Sequence, residues 1–123
     1  MKKLIVVVAF VVVGYMLFVS RQPPAASLAP QYPEPYIVVY GSKSDGNTLR
    51  LQTVLHDRSC RYHYVNMDAE GSFEALQLRM KQAGLDPTNY RLPVVEVNAR
   101  MRANPDPEWV VATYHIDHTG KKL

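Results

Sequence analysis

The stretch Tyr36-Ile37-Val38-Val39-Tyr40-Gly41-Ser42-Lys43-Ser44-Asp45-Gly46-Asn47-Thr48 decides the fold. Its first five residues are β-branched or aromatic and apolar on both faces, which is typical of a central strand covered on both sides. Gly41 ends the strand, and the residues from Ser44 to Asn47 are of the types that form turns and cap helices. The stretch therefore predicts a buried strand, a polar loop and the start of a helix.

The rest of the chain continues with helices and strands in a simple order. Helices are predicted over residues 48–57, 72–83 and 108–115. Further strands are predicted over residues 61–67, 93–97 and 100–103, the last as a short edge strand. The order β-α-β-α-β-β-α implies parallel pairing of the first two strands, and an antiparallel hairpin with its turn at Asn98-Ala99. In the second helix we expect Ser72 to cap the start, and Phe73, Leu76, Met80 and Ala83 to share the buried face.

The first third of the chain has the form of a membrane anchor. Residues 4–19 are an unbroken apolar or small run, preceded by Lys2 and Lys3 and followed by Ser20-Arg21. A basic start, an apolar block and a polar exit describe a signal anchor or a signal peptide, here assigned to residues 1–21. The run would span about 24 Å as a helix, against roughly 30 Å of hydrocarbon core, a gap that snorkelling lysines and local thinning close.

The charge flanking this run predicts the location of the protein. Lys2 and Lys3 place the N-terminus in the cytoplasm, so we expect a single-pass protein of the bacterial inner membrane with its domain in the periplasm. The alternative is secretion to the periplasm after cleavage, for which Ser27-Leu28-Ala29 offers the best site. Residues 22–35 carry five prolines and predict an extended linker without a packed core, before a domain over 36–116 and a flexible tail over 117–123.

The charge of the domain and its cysteine and histidine residues argue against a nucleic-acid-binding protein, a disulfide-stabilised domain and a metal site. Of fourteen lysines and arginines three precede residue 22, which leaves eleven against eleven acidic residues and a neutral domain. A nucleic-acid partner is not expected, because such proteins carry a basic excess or stripe. Cys60 is the single cysteine, so the domain has no internal disulfide. His56, Cys60 and His63 lack a fourth ligand and a fitting geometry, and no metal site is expected.

Three segments, with their order and spacing, resemble glutaredoxin, the small thioredoxin-fold family. They are Val38-Val39-Tyr40 with its polar loop, Tyr62-His63-Tyr64-Val65-Asn66-Met67-Asp68, and Leu92-Pro93-Val94-Val95-Glu96-Val97-Asn98. The resemblance covers about residues 36–115. It implies a three-layer α/β sandwich of the thioredoxin type, with Pro93 as a cis-proline before the third strand.

The resemblance also shows where this chain departs from the family. Glutaredoxins carry Cys-x-x-Cys or Cys-x-x-Ser in this loop, and Asp45 and Thr48 occupy those two positions here. Disulfide exchange needs a thiolate at the helix start, and iron–sulfur ligation needs the same cysteine, so neither is expected of this loop. Asp45 is better suited to cap the helix.

The resemblance further implies a binding groove between the loop and the cis-proline. Lys43 matches the lysine that faces the glutathione carboxylate in the family, and Asp106 matches an acidic residue before the last helix. Asn104-Pro105 replaces the family's Gly-Gly, and the proline removes a backbone donor and stiffens that wall of the groove. No cofactor is expected, and glutathione is the alternative ligand. The expected groove residues are Lys43, Ser44, Asp45, Thr48, Leu92, Pro93 and Asp106.

Three classes of function stay open on the sequence. The first is a membrane-tethered, redox-inactive module that binds a peptide or protein partner at the cell envelope. The second is a thiol-disulfide oxidoreductase or glutathione-dependent enzyme of cell redox homeostasis that works through Cys60 or through partner thiols. The third is a structural subunit of a membrane complex. Cys60 has two interpretations: a small residue packed at a strand start, or a thiol for an intermolecular disulfide.

Overall fold

The computed structural model describes residues 26–123 of the chain, with side chains from residue 28 onward. The anchor expected over residues 1–21 and the first residues of the proline-rich linker lie outside this range. Within residues 26–123 no helix is both long enough and apolar enough to cross a membrane.

The described part of the chain is an α/β domain of five strands and three helices. The strands are β1 (Ala26–Ser27), β2 (Ile37–Gly41), β3 (His63–Asn66), β4 (Val94–Val97) and β5 (Arg100–Ala103). The helices are α1 (Gly46–Asp57), α2 (Ser72–Gln82) and α3 (Pro107–Tyr114). From β2 onward the predicted order β-α-β-α-β-β-α is confirmed, with bounds within two residues of those expected.

The sheet has the strand order β1-β5-β4-β2-β3. Strands β2 and β3 are parallel, with Val38 beside His63, and β4 lies antiparallel to β2, with Val94 beside Tyr40. Strands β4 and β5 form the predicted antiparallel hairpin. This mixed sheet of four main strands with three helices is compatible with a thioredoxin-like fold.

The helices enclose the sheet in three layers. One face, under α1 and α3, is filled by Ile37, Val39, Val95, Val97, Leu51, Leu55 and Val110. The other face, under α2, is filled by Val38, Tyr40, Val94, Met101, Leu76 and Met80. Successive residues of β2 point into opposite layers, which is why the sequence of this strand is apolar on both faces.

Two expectations for α2 are corrected by the structure. Ser72 is the first helical residue and not its cap, because Gly71 precedes the helix with φ +82° and no side chain caps it. Leu76, Met80 and Ala83 are buried as expected, but the Phe73 side chain is 49% exposed. Phe73 lies in the first turn of the helix, where its ring is only half covered.

The proline-rich segment differs from the expected linker without a packed core. Ala26 pairs with Met101, so β1 covers the strand that was expected to be the sheet edge. Arg79 Nη2 donates a hydrogen bond of 2.8 Å to the Ala29 carbonyl, and Gln31 Nε2 donates one of 2.9 Å to Glu96. Ala26, Ala29 and Gln31 make these contacts. The prolines around them led to the expectation of a segment without contacts to the domain.

A buried ion pair occupies the centre of β4. The Glu96 side chain is fully buried, and Arg79 from α2 donates to its two oxygens, from Nε at 2.8 Å and from Nη2 at 3.0 Å. The Tyr36 hydroxyl donates to the same carboxylate. Hydrogen bonding to Glu96 raises the pKa of the Arg79 guanidinium, although its burial opposes the rise. A buried carboxylate is tolerated only when it is paired and hydrogen-bonded in this way.

The Asn98 side chain connects the β4–β5 turn to two distant parts of the chain. Asn98 and Ala99 have φ of +47° and +67°, the left-handed pair of a type I′ turn, which confirms the predicted hairpin. Asn98 Oδ1 accepts a hydrogen bond of 2.8 Å from the Tyr36 N–H. Its Nδ2 donates hydrogen bonds to three carbonyls at the end of α3. The distances are 3.1 Å to Thr113, 3.1 Å to Tyr114 and 2.7 Å to Ile116.

The C-terminal residues form a turn held against the domain, where a flexible tail was expected. The Asp117 carboxylate accepts hydrogen bonds from the backbone N–H groups of Thr119 and Lys121, at 2.9 and 2.8 Å. The backbone N–H of His118 donates to Glu34 at 2.8 Å, and its ring lies 2.6 Å from the same carboxylate. The end of the domain is thereby attached to the proline-rich segment at its beginning.

Replacing Arg79 by Met should lower the free energy of unfolding by about 3–5 kcal/mol, because Glu96 is left buried without its counter-charge. Urea unfolding of the full chain in mild detergent, followed by the fluorescence of the single tryptophan, Trp109, measures the loss. The matched control is Arg58→Met, which removes an exposed 2.8 Å pair with Glu108 and should cost no more than about 1 kcal/mol. Equal losses in the two variants would contradict the assignment.

Candidate functional site

The loop between β2 and α1 is fixed by close packing of Gly41 against Thr48. A Cβ atom on Gly41 would lie 2.4 Å from Thr48 Cγ2, closer than any side chain tolerates. The Thr48 side chain is fully buried beneath the strand end. The glycine is therefore required because α1 starts directly against the end of β2.

Asp45 caps α1, as the sequence predicted. Its Oδ2 accepts hydrogen bonds from Thr48 N at 2.9 Å and from Thr48 Oγ1 at 2.7 Å. The Ser42 N–H donates to the Thr48 hydroxyl at 3.4 Å. A carboxylate and a hydroxyl thus occupy the two positions where the resemblance places cysteines, and they are bonded to each other. Neither group can exchange disulfides.

The other wall of the loop includes Asp68, a residue that sequence reasoning did not assign to the site. Ser42 Oγ donates to Asp68 Oδ2 at 2.8 Å and lies 2.9 Å from Ser44 Oγ. The Met67 N–H donates to the Gly41 carbonyl at 2.8 Å. The signal was available in the sequence, because the carboxyl ends of two parallel strands meet at the same edge of a sheet, and Asp68 follows β3 closely.

The Leu92-Pro93 segment lies beside this loop. The peptide bond before Pro93 is cis, as the resemblance implied. Tyr40 pairs with Val94, so continuing the antiparallel register places the segment next to Gly41 and Ser42. The Pro93 carbonyl accepts a bond of 2.6 Å from the Asn104 N–H. Within residues 26–123, the backbone N–H and carbonyl of Leu92 have no hydrogen-bond partner.

Asp106 lies on the same end of the sheet but lines a separate cleft. Its carboxylate caps α3 by accepting a hydrogen bond of 3.0 Å from Glu108 N. A polar cleft of about 210 Å³ lies between the first turn of α1 and the loop before α3, lined by Asn47, Arg50, Asn104, Pro105, Asp106 and Pro107. Two large apolar side chains, Leu49 and Phe73, are about half exposed in the first turns of α1 and α2.

We call this part of the domain the site end; it comprises residues 42–45, 68, 92–93 and 104–106. Lys43, Ser44 and Asp106 are exposed there, Asp45 is half-buried, and Thr48 and Pro93 are buried. The predicted groove residues are thus gathered at one end of the sheet. Thr48 and Pro93 are buried beneath the surface of the site end and support it. The exposed residues and the Leu92 backbone form that surface.

Cys60 lies at the opposite end of the sheet, because it precedes β3 and β3 runs parallel to β2. The residue is 6% exposed, and Cys60 Sγ is 3.7 Å from the Arg58 carbonyl. Burial raises the pKa of the Cys60 thiol, and the charge of Arg58 offsets part of the rise. The packed interpretation of Cys60 agrees with this environment, and the structure does not bring the thiol to the site end.

A larger cavity of about 740 Å³ opens beside Cys60 at that opposite end. Its walls are mostly aromatic and proline side chains, with Ile37, Cys60 and Arg61 among them. The Tyr32 ring stacks on His63 with centroids 4.2 Å apart. Tyr62, Tyr64 and Trp109 are partly buried and pack against the core. Residues 26–123 contain no group of three or more His, Cys, Asp or Glu side chains that could share a metal ion.

Comparisons of the chain with protein-family models, with curated proteins and with solved structures give no match.

Replacing Asp45 by Ala should cost about 1 kcal/mol of unfolding free energy, because the N-cap of α1 loses its acceptor. Asp45→Asn should keep most of the stability, since its side-chain oxygen can accept the same bonds. Urea unfolding of the full chain measures both variants, with Asp57→Ala, at the exposed end of the same helix, as the control. A loss no larger than that of the control would mean that the cap contributes nothing.

Alkylation of Cys60 by iodoacetamide should be slow in the folded protein and on the order of 100-fold faster in urea, because burial keeps the thiol neutral and covered. The reaction is followed by intact mass. The control is the exposed thiol of an Asn89→Cys variant in a Cys60→Ser chain, which lies in a loop and should react at a similar rate in both conditions. Fast alkylation of Cys60 in the folded protein would contradict the packed interpretation and support a thiol available for an intermolecular disulfide.

Proposed function

We propose that the protein is a membrane-tethered, glutaredoxin-like domain that binds an extended peptide segment of a partner at the cell envelope and does not catalyse thiol-disulfide exchange. Residues 1–21 would anchor it in the inner membrane of a bacterium, with the domain in the periplasm. The site end would hold the partner.

The observation that carries this proposal is the hydrogen-bonded pair of Asp45 and Thr48. The start of α1 is where a thiolate would be stabilised, and here the Asp45 carboxylate already satisfies Thr48 N at 2.9 Å. The backbone N–H that would stabilise a nucleophile at this helix start is therefore already hydrogen-bonded. The only thiol of the chain, Cys60, is buried at the other end of the sheet. Both facts favour binding over redox catalysis.

The unpaired backbone of Leu92 supports a peptide as the ligand. An N–H and a carbonyl without partners beside an exposed loop can pair with an extended chain, as an added strand does at a sheet edge. The half-exposed Leu49 and Phe73 provide apolar surface on either side of the site end. Lys43 offers a positive charge to an acidic group on the partner.

A titration of the full, ¹⁵N-labelled chain in small nanodiscs tests the proposal. The probe is a six-residue peptide with valine and threonine between terminal glutamates, and reduced glutathione is titrated separately. We expect saturable amide shifts with the peptide at Leu92, at Val94 and over residues 42–48. Absence of saturable shifts at these positions would refute the groove.

Two peptides with N-methyl groups on opposite edges serve as matched controls. Backbone pairing predicts that methylation of one edge weakens binding about tenfold, through the loss of hydrogen bonds, while methylation of the other edge leaves it unchanged. Equal binding by both would mean that the backbone of the peptide is not recognised.

An assay of glutathione-dependent disulfide reduction addresses the enzymatic alternative. The full chain and its Cys60→Ser variant should both match the blank without protein. Turnover that disappears on Cys60→Ser would replace the proposal by a thiol-disulfide oxidoreductase acting through Cys60.

A further inference from the structure

We propose that the cavity beside Cys60 is a binding site for a small, flat, apolar molecule that carries one anionic group, such as an aromatic carboxylic acid. The cavity lies between residues 32–37, residues 60–63 and Tyr114, at the end of the sheet opposite the site end. We call it the aromatic cavity. This inference goes beyond the proposed function, because the residues that line the aromatic cavity and those of the site end have no member in common.

The size and lining of the aromatic cavity are those of a small-molecule site. Its volume of about 740 Å³ lies within the range of roughly 300–1,000 Å³ that is typical of ligand pockets. Four of the lining residues are tyrosines, and Ile37 and Cys60, which are 0% and 6% exposed, join the lining to the core. Ligand pockets are mostly apolar and aromatic, with a few polar groups that orient the ligand. The lining therefore fits a ligand with an apolar body.

Aromatic rings give the cavity a wall that is ordered before a ligand binds. The Tyr32 ring is stacked on His63, with centroids 4.2 Å apart and planes 11° from parallel, and it meets the Tyr36 ring edge to face at 5.5 Å. The Tyr36 N–H is in turn held by Asn98 at 2.8 Å. Because these rings are already fixed, little conformational entropy is lost when a ligand packs against them. Aromatic faces and edges favour a flat ligand, which can stack on the one or meet the other.

The segment that carries Tyr32 is attached to the domain on both sides. Before Tyr32, Gln31 Nε2 donates a hydrogen bond of 2.9 Å to Glu96. After it, both carboxylate oxygens of Glu34 contact His118, one accepting from the backbone N–H at 2.8 Å and the other lying 2.6 Å from ring Nδ1. The cavity is thus formed without a ligand, as small-molecule sites usually are. These bonds also occupy the one acidic side chain of residues 28–37.

Arg61 determines the charge of the ligand. Among the lining residues it alone carries a permanent charge, and none of them is acidic. Arg61 is exposed and makes no ion pair within residues 26–123, whereas its neighbour Arg58 is paired with Glu108 at 2.8 Å. A guanidinium binds a carboxylate through charge-assisted hydrogen bonds, which are stronger than those to a neutral group. The aromatic cavity therefore favours an anionic ligand over a neutral or a cationic one.

A titration with 2-naphthoate, a flat aromatic carboxylate, tests the site in the full, ¹⁵N-labelled chain in small nanodiscs. Empty nanodiscs serve as the blank for partitioning of the probe into lipid. We expect saturable amide shifts within residues 32–37, within residues 60–63 and at Tyr114, and none over residues 42–48. Absence of saturation below about 1 mM overturns the inference, and so do saturable shifts that are confined to the site end.

The role of charge is tested with Arg61→Gln and with the uncharged probe 2-naphthamide. Arg61→Gln should weaken the binding of 2-naphthoate about tenfold, because the charge-assisted hydrogen bond is lost, and should leave the binding of 2-naphthamide unchanged. The matched control is Arg91→Gln, at another exposed arginine, which should change neither. Equal binding of 2-naphthoate by Arg61→Gln and the native chain overturns the anionic ligand, as does equal binding of the two probes by the native chain.

The role of the aromatic wall is tested with Tyr32→Ala. This variant should weaken the binding of both probes by a similar factor, about fivefold, because the ring against which they pack is removed. Tyr32→Phe keeps the ring and is the matched control, which should bind both probes as the native chain does. Unchanged amide shifts over residues 42–48 verify that the fold is retained. Native binding of the probes by Tyr32→Ala overturns the assignment of the aromatic cavity as their site.

Discussion

A carboxylate buried in the middle of a sheet must be neutralised where it lies, and in this protein that requirement falls on Glu96. The neighbours of Glu96 along β4 are valines, so the charge would be very costly without Arg79. Arg79 belongs to α2, and its guanidinium also holds the Ala29 carbonyl. One ion pair thereby determines the position of the α2 layer and of the segment that joins the domain to the proposed anchor.

A second constraint governs the loop after β2. Gly41, Thr48 and Asp45 depend on one another. The absence of a side chain at Gly41 makes room for Thr48, and Thr48 donates hydrogen bonds from its N–H and hydroxyl to Asp45. A cysteine at position 45 could not accept these bonds as a carboxylate does. The loop is thus built for a rigid helix start. Rigid loops with free backbone groups alongside are suited to recognition, because little entropy is lost when a partner binds.

Much of this architecture was predictable from the sequence, since β2 is apolar on both faces and the helices have clear apolar spacing. The cis bond before Pro93 and the Asp45 cap were also expected. The Glu96 network was not, because a single acidic residue inside a strand gives no sign of its partner seventeen positions earlier. The packing of residues 26–35 was concealed by their prolines, and Asp68 was missed because its role depends on β2 and β3 ending at the same edge.

The bonds of Asn98 have a consequence for the synthesis of the protein. Its side chain joins Tyr36, at the start of the central strand, to carbonyls as far along as Ile116. On the ribosome, β2 emerges more than fifty residues before its antiparallel neighbour, and the connection closes only when almost the whole chain is available. The nascent domain therefore stays open until late, with an apolar strand uncovered. Early termination of synthesis would leave this apolar strand uncovered, which makes it an aggregation hazard.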